Sequence, residues 1–150
     1  MTSVYRHLLV GTDGSETATA AVKQAATLAA AFGARLTVMT VFSDVPDHEL
    51  AEAGDQLPSE MRWQITGAAQ AEETAQQGAR VAKALGADAH ARVERGQPAE
   101  AIIKALDVGD FDLVVVGSRG LSSPSRFLLG NVPNAVSHHA PCDVAVIHTA

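Results

Sequence analysis

The sequence is poor in several residue types, and each scarcity excludes a class of protein. It has a single cysteine, Cys142, so no disulfide can form within the chain and a reducing compartment is expected. No stretch approaches the roughly 18 apolar residues that a membrane-spanning helix needs. Acidic side chains outnumber basic ones, and the net charge is −6. Binding to nucleic acid or to an anionic membrane is therefore not expected, because both require clustered Lys and Arg.

Apolar residues, by contrast, are abundant enough for one globular core. Of the 150 residues, 47% are hydrophobic and 19% are charged, as is typical of a compact globular protein. That length suits a single domain over residues 1–150 and leaves little room for a second. The N-terminus lacks the long apolar core of a signal peptide, so a cytoplasmic protein is predicted.

Strand patterns and helix patterns alternate along the chain. Short apolar or alternating runs predict strands over residues 7–11, 36–42, 89–94, 112–116 and 144–148. Apolar residues at spacings of three and four predict helices over 15–32, from 63 to 85 and from 98 to 109, with a last helix around 134–139. Residues 43–62 break the pattern and predict a long loop.

This alternation predicts an α/β fold: a single three-layer domain with a five-stranded open parallel sheet and about four helices, Rossmann-like. The most apolar runs, Leu8–Val10 and Leu113–Val116, are expected to be adjacent central strands. The third strand has a polar face and is placed at one edge, and the last strand at the other, which gives the order 3-2-1-4-5. The C-terminal ends of the two central strands then bound the crevice where such sheets bind ligands.

The most informative motif is a set of glycines after the fourth strand. Gly117 and Gly120 follow that strand, and Gly130 lies ten positions further on, near the predicted start of the last helix. Glycines permit close backbone approach, and the unpaired N–H groups of a helix start favour anions, so the motif predicts a phosphate cradle. A P-loop is excluded because no lysine follows a glycine, and the spacing of Gly11 and Gly14 excludes a dinucleotide fingerprint.

The complete pattern resembles the universal stress protein (UspA-like) family, in the subgroup that carries an ATP-binding motif. The resemblance covers essentially the whole chain and rests on Val10–Ser15, on Gly96-Gln97-Pro98 and on the G-x-x-G-x9-G-[S/T] motif. It implies a fold like that of the adenine-nucleotide alpha hydrolases, with ATP, and Mg²⁺ or Mn²⁺ on its phosphates, in the crevice, in preference to AMP or a cyclic nucleotide. It also implies a homodimer through Val144–Ile147, a strand whose exposed edge needs cover.

The resemblance further implies roles for particular residues. It assigns the ribose and adenine side to Gly11, Thr12 and Asp13, with Val41 beside the base. It assigns the ribose and inner phosphates to Gly117, Arg119 and Gly120. It assigns the outer phosphates to Gly130, Asn131 and Val132. No residue is expected to ligate a metal directly. Asn131 departs from the family, which usually has Ser or Thr there. Two alternatives follow: the cradle holds ATP, or the turn is kept and takes no nucleotide.

Asp13 is the only carboxylate expected beside the site, and it has two alternative roles. It bonds the ribose, the base or, through water, the metal; or it makes a local turn bond to the Ser15 amide. The predicted function is a nucleotide-dependent regulatory protein of the stress response, with a nucleotide-free dimeric interaction module or a slow ATPase as alternatives. An efficient enzyme is not expected, because the motif has no lysine and no second group is placed to activate water.

Overall fold

Strands and helices alternate along the chain, as the sequence predicts. The computed structural model describes residues 4–42, 67–118 and 135–148. The elements are β1 (His7–Gly11), α1 (Glu16–Phe32), β2 (Arg35–Phe42), α2 (Ala68–Ala84), β3 (Asp88–Arg95), α3 (Pro98–Val108), β4 (Leu113–Gly117) and β5 (Asp143–Ile147), and residues 135–139 are helical between β4 and β5. The loop predicted over 43–62 lies outside the described residues.

The strands form one parallel sheet in the order β3-β2-β1-β4-β5. The predicted fold class and strand order are therefore confirmed. Strand β1 is central, and its residue Leu9 is paired with Thr37 of β2 and with Val114 of β4. The polar strand β3 and the C-terminal strand β5 occupy the two edges.

Each face of the sheet packs against its own helices. On what we call the first face, Leu8, Val10 and Val38 pack with buried alanines of α1 and α2. On the second face, Leu9, Met39 and Val114 pack with α3 and with the helical residues 135–139, through buried Ile102 and Val136 respectively. The successive right-handed crossovers explain this division, because helices that follow β1 and β2 pack on one face, and those that follow β3 and β4 on the other.

The ends of α1 are determined by local chemistry. The Ser15 hydroxyl oxygen accepts a hydrogen bond from the amide of Ala18 at 3.1 Å, which satisfies one of the free donors of the first turn. Gly33 ends the helix in the left-handed conformation, with φ of 66°, and its N–H bonds the last turn. These two caps account for the agreement of α1 with the helix predicted over 15–32.

Several predicted boundaries differ from the observed ones by a residue, and two boundaries have a cause in the structure. The helical spacing in the sequence begins at Trp63; residues 63–66 lie outside the described residues, and α2 starts at Ala68 because Gly67 has a φ of 96°, which no helix accommodates. Strand β4 begins one residue later than predicted, since Asp112 uses its carboxylate to accept the amides of Arg6 and His7, at 2.9 and 3.1 Å.

Cys142 is half-buried and packs against the second-face cluster as β5 begins. Burial raises the pKa of its thiol, as does the nearby carboxylate of Asp143. A thiol of this kind is a poor nucleophile at neutral pH, so Cys142 is assigned a packing role. Within the described residues, no helix is long and apolar enough to cross a membrane.

Candidate functional site

The candidate site lies at the C-terminal ends of β1 and β4. These strands are parallel neighbours, with Val10 paired to Val115, so both end at the same edge of the sheet. Strand β1 leads to α1 on the first face, whereas the helical residues 135–139 that follow β4 pack on the second face. The chain therefore departs in opposite directions from two adjacent strands, which opens a crevice between them.

The turn after β1 is fixed by hydrogen bonds along its whole length. The amide of Thr12 donates to the carbonyl oxygen of Met39 at 2.8 Å, and this bond continues the pairing with β2. The amide of Gly14 donates to the Thr12 hydroxyl oxygen at 3.1 Å, and the amide of Ser15 donates to Asp13 Oδ1 at 2.9 Å. Gly14 has a φ of 86°, which only glycine adopts without strain. The turn is thus held in place by its own backbone and side-chain hydrogen bonds.

The carboxylate of Asp13 is only half used by this turn. Its Oδ1 makes the local bond to the Ser15 amide that the sequence suggests as one alternative. Its Oδ2 is buried and has no hydrogen-bond partner among the residues that the structure describes. A buried carboxylate oxygen without a donor is costly, because its solvation by water has not been replaced. Asp13 can therefore make the local turn bond through Oδ1 and still bind a ligand through Oδ2.

An apolar wall stands beside the turn on the second face. Gly11 lies under α3: a Cβ placed there would be 3.4 Å from Ile102 Cδ1 and 3.9 Å from the Met39 carbonyl oxygen. Val41, near the end of β2, packs against the same cluster together with Ala99. The side chains of this wall are aliphatic, which suits the apolar face of a planar ring. The sequence shows Ile102 only as a core residue of a helix, and its place beside Gly11 appears only when α3 crosses the sheet.

The predicted phosphate side is described only at its beginning. Gly117 is the last residue of β4, and the amide of Ser118 donates to the Ile147 carbonyl oxygen at 2.7 Å, so the backbone stays paired with β5 up to that point. The remaining predicted residues lie outside the described residues: Arg119, Gly120, Gly130, Asn131 and Val132. Their predicted roles stay predictions. Of the predicted site, the structure thus brings Gly11, Thr12 and Asp13 close to Val41 and Gly117, through the pairing of β1 with β2 and β4.

A parallel sheet of this order, with helices on both faces, defines an open, doubly wound α/β protein. The comparisons with known proteins narrow that class. The model of the universal stress protein family matches residues 4–148. The chain belongs to the universal stress protein family, as its resemblance to that family predicts.

Relatives and solved structures agree with this assignment along the whole chain. A universal stress protein of Mycobacterium tuberculosis strain H37Rv is 38% identical over 148 residues, which cover 98% of this chain and 99% of the relative. UspA from Lactobacillus plantarum has 32% identity and a TM-score of 0.74, over 95% of this chain and 97% of that one. A universal stress protein crystallised in complex with cAMP has 32% identity and a TM-score of 0.71, over 99% and 100% of the two chains.

Proposed function

We propose that this protein binds an adenine nucleotide, ATP above all, in the crevice between β1 and β4, and acts as a nucleotide-dependent regulatory protein of the stress response. The observation that carries the binding proposal is the buried Oδ2 of Asp13 at the mouth of that crevice, which has no hydrogen-bond partner among the described residues. The regulatory role is proposed from membership of the family. A cytoplasmic location is proposed with it, because the chain has one cysteine, and that thiol is free.

Asp13 is the proposed recognition residue for the nucleoside. An amino group of the base or a hydroxyl group of the ribose would donate a hydrogen bond to its Oδ2. That bond would remove the free-energy cost of burying an oxygen that has no donor among the described residues. The base itself would lie against the aliphatic wall that contains Val41 and Ile102. Gly11 lets Ile102 of this wall pack close to β1, because a Cβ there would lie 3.4 Å from Ile102 Cδ1, and the Thr12 amide keeps the turn attached to β2.

The phosphates are assigned to the glycine motif. Gly117, Arg119 and Gly120 are proposed to approach the ribose and inner phosphates, and Gly130, Asn131 and Val132 the outer ones. The family resemblance and the backbone geometry that such glycines permit support this assignment. With a net charge of −6, the protein has no broad basic surface to attract phosphate, so local backbone donors must do so.

A divalent cation fits the donor chemistry of this site. Mg²⁺ or Mn²⁺ on the phosphates would neutralise their charge, and both ions favour carboxylate and water oxygens. Asp13 Oδ2 is an oxygen of that kind, and it would reach the ion through a bound water. The described residues contain no group of His, Cys, Asp or Glu side chains able to hold a metal ion by themselves. The cation is therefore proposed to arrive with the nucleotide.

A cyclic nucleotide is a second candidate ligand, and one specific finding favours it. A structural neighbour with 32% identity was crystallised with cAMP. ATP and cAMP share adenine and ribose, so the part of the site formed by Asp13 and Val41 would serve both. They differ in their phosphates, and only ATP would extend along the glycine motif to Gly130 and Asn131.

The proposal is tested by calorimetric titration of the protein with ATP, cAMP, AMP and GTP, with and without Mg²⁺. Asp13→Asn keeps the shape of the side chain and an oxygen for the Ser15 amide, but it replaces an acceptor by a donor. We expect it to weaken binding of adenine nucleotides by about tenfold to a hundredfold, since bonds to charged groups contribute about 1.5–3 kcal/mol. The matched control is Asp107→Asn, an exposed residue of α3.

The outcomes separate the candidate functions. Tight ATP binding that falls in Asp13→Asn and not in Asp107→Asn supports the proposal. Tighter binding of cAMP than of ATP would show that the ligand is a cyclic nucleotide, the second candidate. Saturable binding of none of these nucleotides would contradict both, and would leave the dimeric interaction module as the function.

A homodimer through β5 is proposed as the assembly. Strand β5 is an edge strand, and Val146 on it is 52% exposed. The opposite edge strand, β3, instead carries a charged pair, Arg92 with Glu94 at 2.8 Å, which discourages pairing with another chain. Apolar exposure at one edge and charge at the other support pairing between two copies of β5 across a two-fold axis.

A further inference from the structure

A separate cavity lies on the first face, between α1 and α2. Its volume is about 330 Å³, near the lower end of the range for small-molecule sites, about 300–1,000 Å³. Thr12 and Gly14 line it from the β1–α1 turn, and the two helices form its other walls. The aliphatic wall of the candidate nucleotide site is on the second face, where Gly11 lies under Ile102. The cavity therefore adjoins the nucleotide crevice at Thr12 but lies on the opposite face of the sheet from that aliphatic wall.

The polar groups of this cavity offer both donors and acceptors. Thr12 Oγ1 accepts from the amide of Gly14, which leaves its O–H to donate. Thr19 Oγ1 donates to the carbonyl oxygen of the N-cap residue of α1 at 2.8 Å, which leaves its lone pairs to accept. Gln77 Oε1 accepts from Arg80 at 3.0 Å, which leaves its NH₂ group to donate. A ligand that fits this wall must itself donate and accept.

The charge around the cavity excludes ions as its ligand. None of the described residues that line it is Lys or Arg, so an anion would find no cationic partner. Glu73 is the only acidic side chain among those lining residues, and it is exposed and already paired with Arg80 at 3.3 Å, so it offers little to a cation. The remaining surface includes the aliphatic side chains of Val22 and Val81. The ligand is therefore neutral, with polar groups and an apolar C–H face.

We propose that this cavity binds a small uncharged polyhydroxy compound, a polyol or a monosaccharide. Each hydroxyl of such a compound both donates and accepts hydrogen bonds. It can therefore accept from Thr12 and Gln77 and donate to Thr19. The C–H groups of its carbon skeleton would lie against Val22 and Val81. This site does not depend on nucleotide binding, and it is tested with the protein free of added nucleotide.

The experiment is a titration of the isotopically labelled full chain with D-glucose, myo-inositol and glycerol, followed by amide NMR shifts, with sodium acetate as the anionic comparison. We expect saturable shifts at residues of the cavity for at least one polyol and none there for acetate. Thr74→Phe, which fills the space from the half-buried side of α2, should abolish these shifts. Gln76→Phe is the control, on the same helix but outside the cavity wall.

A milder variant keeps the proposal testable if Thr74→Phe does not fold. Gln77→Met retains the length of an exposed side chain but removes the donor, and we expect it to weaken polyol binding by about five- to tenfold, the effect of one lost hydrogen bond. Unchanged affinity in both Thr74→Phe and Gln77→Met would overturn the proposal. So would saturable binding of acetate in the cavity, or the absence of saturable shifts with all three polyols.

Discussion

The imidazole Nε2 of His7 lies 2.8 Å from the hydroxyl oxygen of Thr37, one strand away on the second face. The ring is also close to Phe111, with 4.2 Å between the ring centroids and an angle of 36° between the planes. His7 is thus half-buried between an aromatic ring and a hydroxyl at the N-terminal end of the sheet. Burial lowers the pKa of His7, and the Arg35 guanidinium lowers it further, while the Asp112 carboxylate opposes them.

This environment predicts that the protein loses stability in mild acid. The folded state holds His7 neutral to a lower pH than the unfolded chain does, so the unfolded state binds more protons as the pH falls below about 6.5. The contribution of neutral His7 to the free energy of unfolding is therefore complete above that pH. It declines as the pH drops toward the lowered pKa that His7 has in the folded state. Urea unfolding between pH 5 and 8 measures this, and His7→Asn should flatten the dependence.

His139→Asn is the control for this prediction, because that histidine is exposed. It should leave the pH dependence of the free energy of unfolding as it is in the parent. An equal pH dependence in His7→Asn and the parent would show that His7 is not the responsible group.

A structural feature can be predicted from the sequence when the residues that cause it lie close to it along the chain. The start and end of α1 are predictable because Ser15 and Gly33 act on the backbone of their own helix. The start of β4 is not, since the Asp112 carboxylate bonds amides more than a hundred residues away, at 2.9 Å for Arg6. In the same way, the sequence suggests Asp13 as a site residue, but only the folded turn shows that Oδ1 bonds the Ser15 amide while Oδ2 is buried with no partner in the described part of the chain.

Gly78 lets α2 lie close against the sheet. A Cβ placed there would be 2.8 Å from Val38 Cγ1 and 3.4 Å from Thr12 Cγ2. Val38 is fully buried and β-branched, so it has little freedom to move away. We expect Gly78→Ala to destabilise the protein by about 1 kcal/mol, because overpacking costs about 1–3 kcal/mol and exceeds the gain in helix propensity of at most about 1 kcal/mol.

A double-mutant cycle with Val38→Ala checks this explanation. That second substitution opens space beside the new methyl group, so the two changes together should cost less than the sum of their separate effects, as measured by urea unfolding. A purely additive result would show that the Val38 contact is not what makes the glycine necessary.

Asn131 provides a test of the phosphate assignment outside the described residues. Asn131→Ser restores the small hydroxyl that the family usually has at this position, and we expect it to retain or tighten ATP binding. Asn131→Ala should weaken ATP binding and should also cost about 1 kcal/mol of stability through the loss of a helix cap. Calorimetry and urea unfolding of both variants measure the two effects. An Ala variant equal to the parent in affinity and in stability would remove Asn131 from both roles.

The last prediction concerns the edge strand β5. Val144 packs on the second-face cluster and Ile147 on the first, whereas Val146 is 52% exposed beside Val116 of β4. If two copies of β5 pair, Val146→Lys places a charge in an apolar seam, and the dissociation constant of the dimer should rise by about tenfold or more, which corresponds to about 1.4 kcal/mol. Sedimentation and light scattering at micromolar concentration measure this.

Val108→Lys is the matched control, because Val108 is 74% exposed at the end of α3 and lies on no edge of the sheet. It adds the same charge to the same type of residue, so any general effect of lysine on association would appear in it as well. Dissociation in Val146→Lys alone therefore places the dimer contact on β5, since only that substitution changes the unpaired edge. Equal dissociation in both variants would assign the effect to net charge, and a monomeric parent at micromolar concentration would contradict the proposed assembly itself.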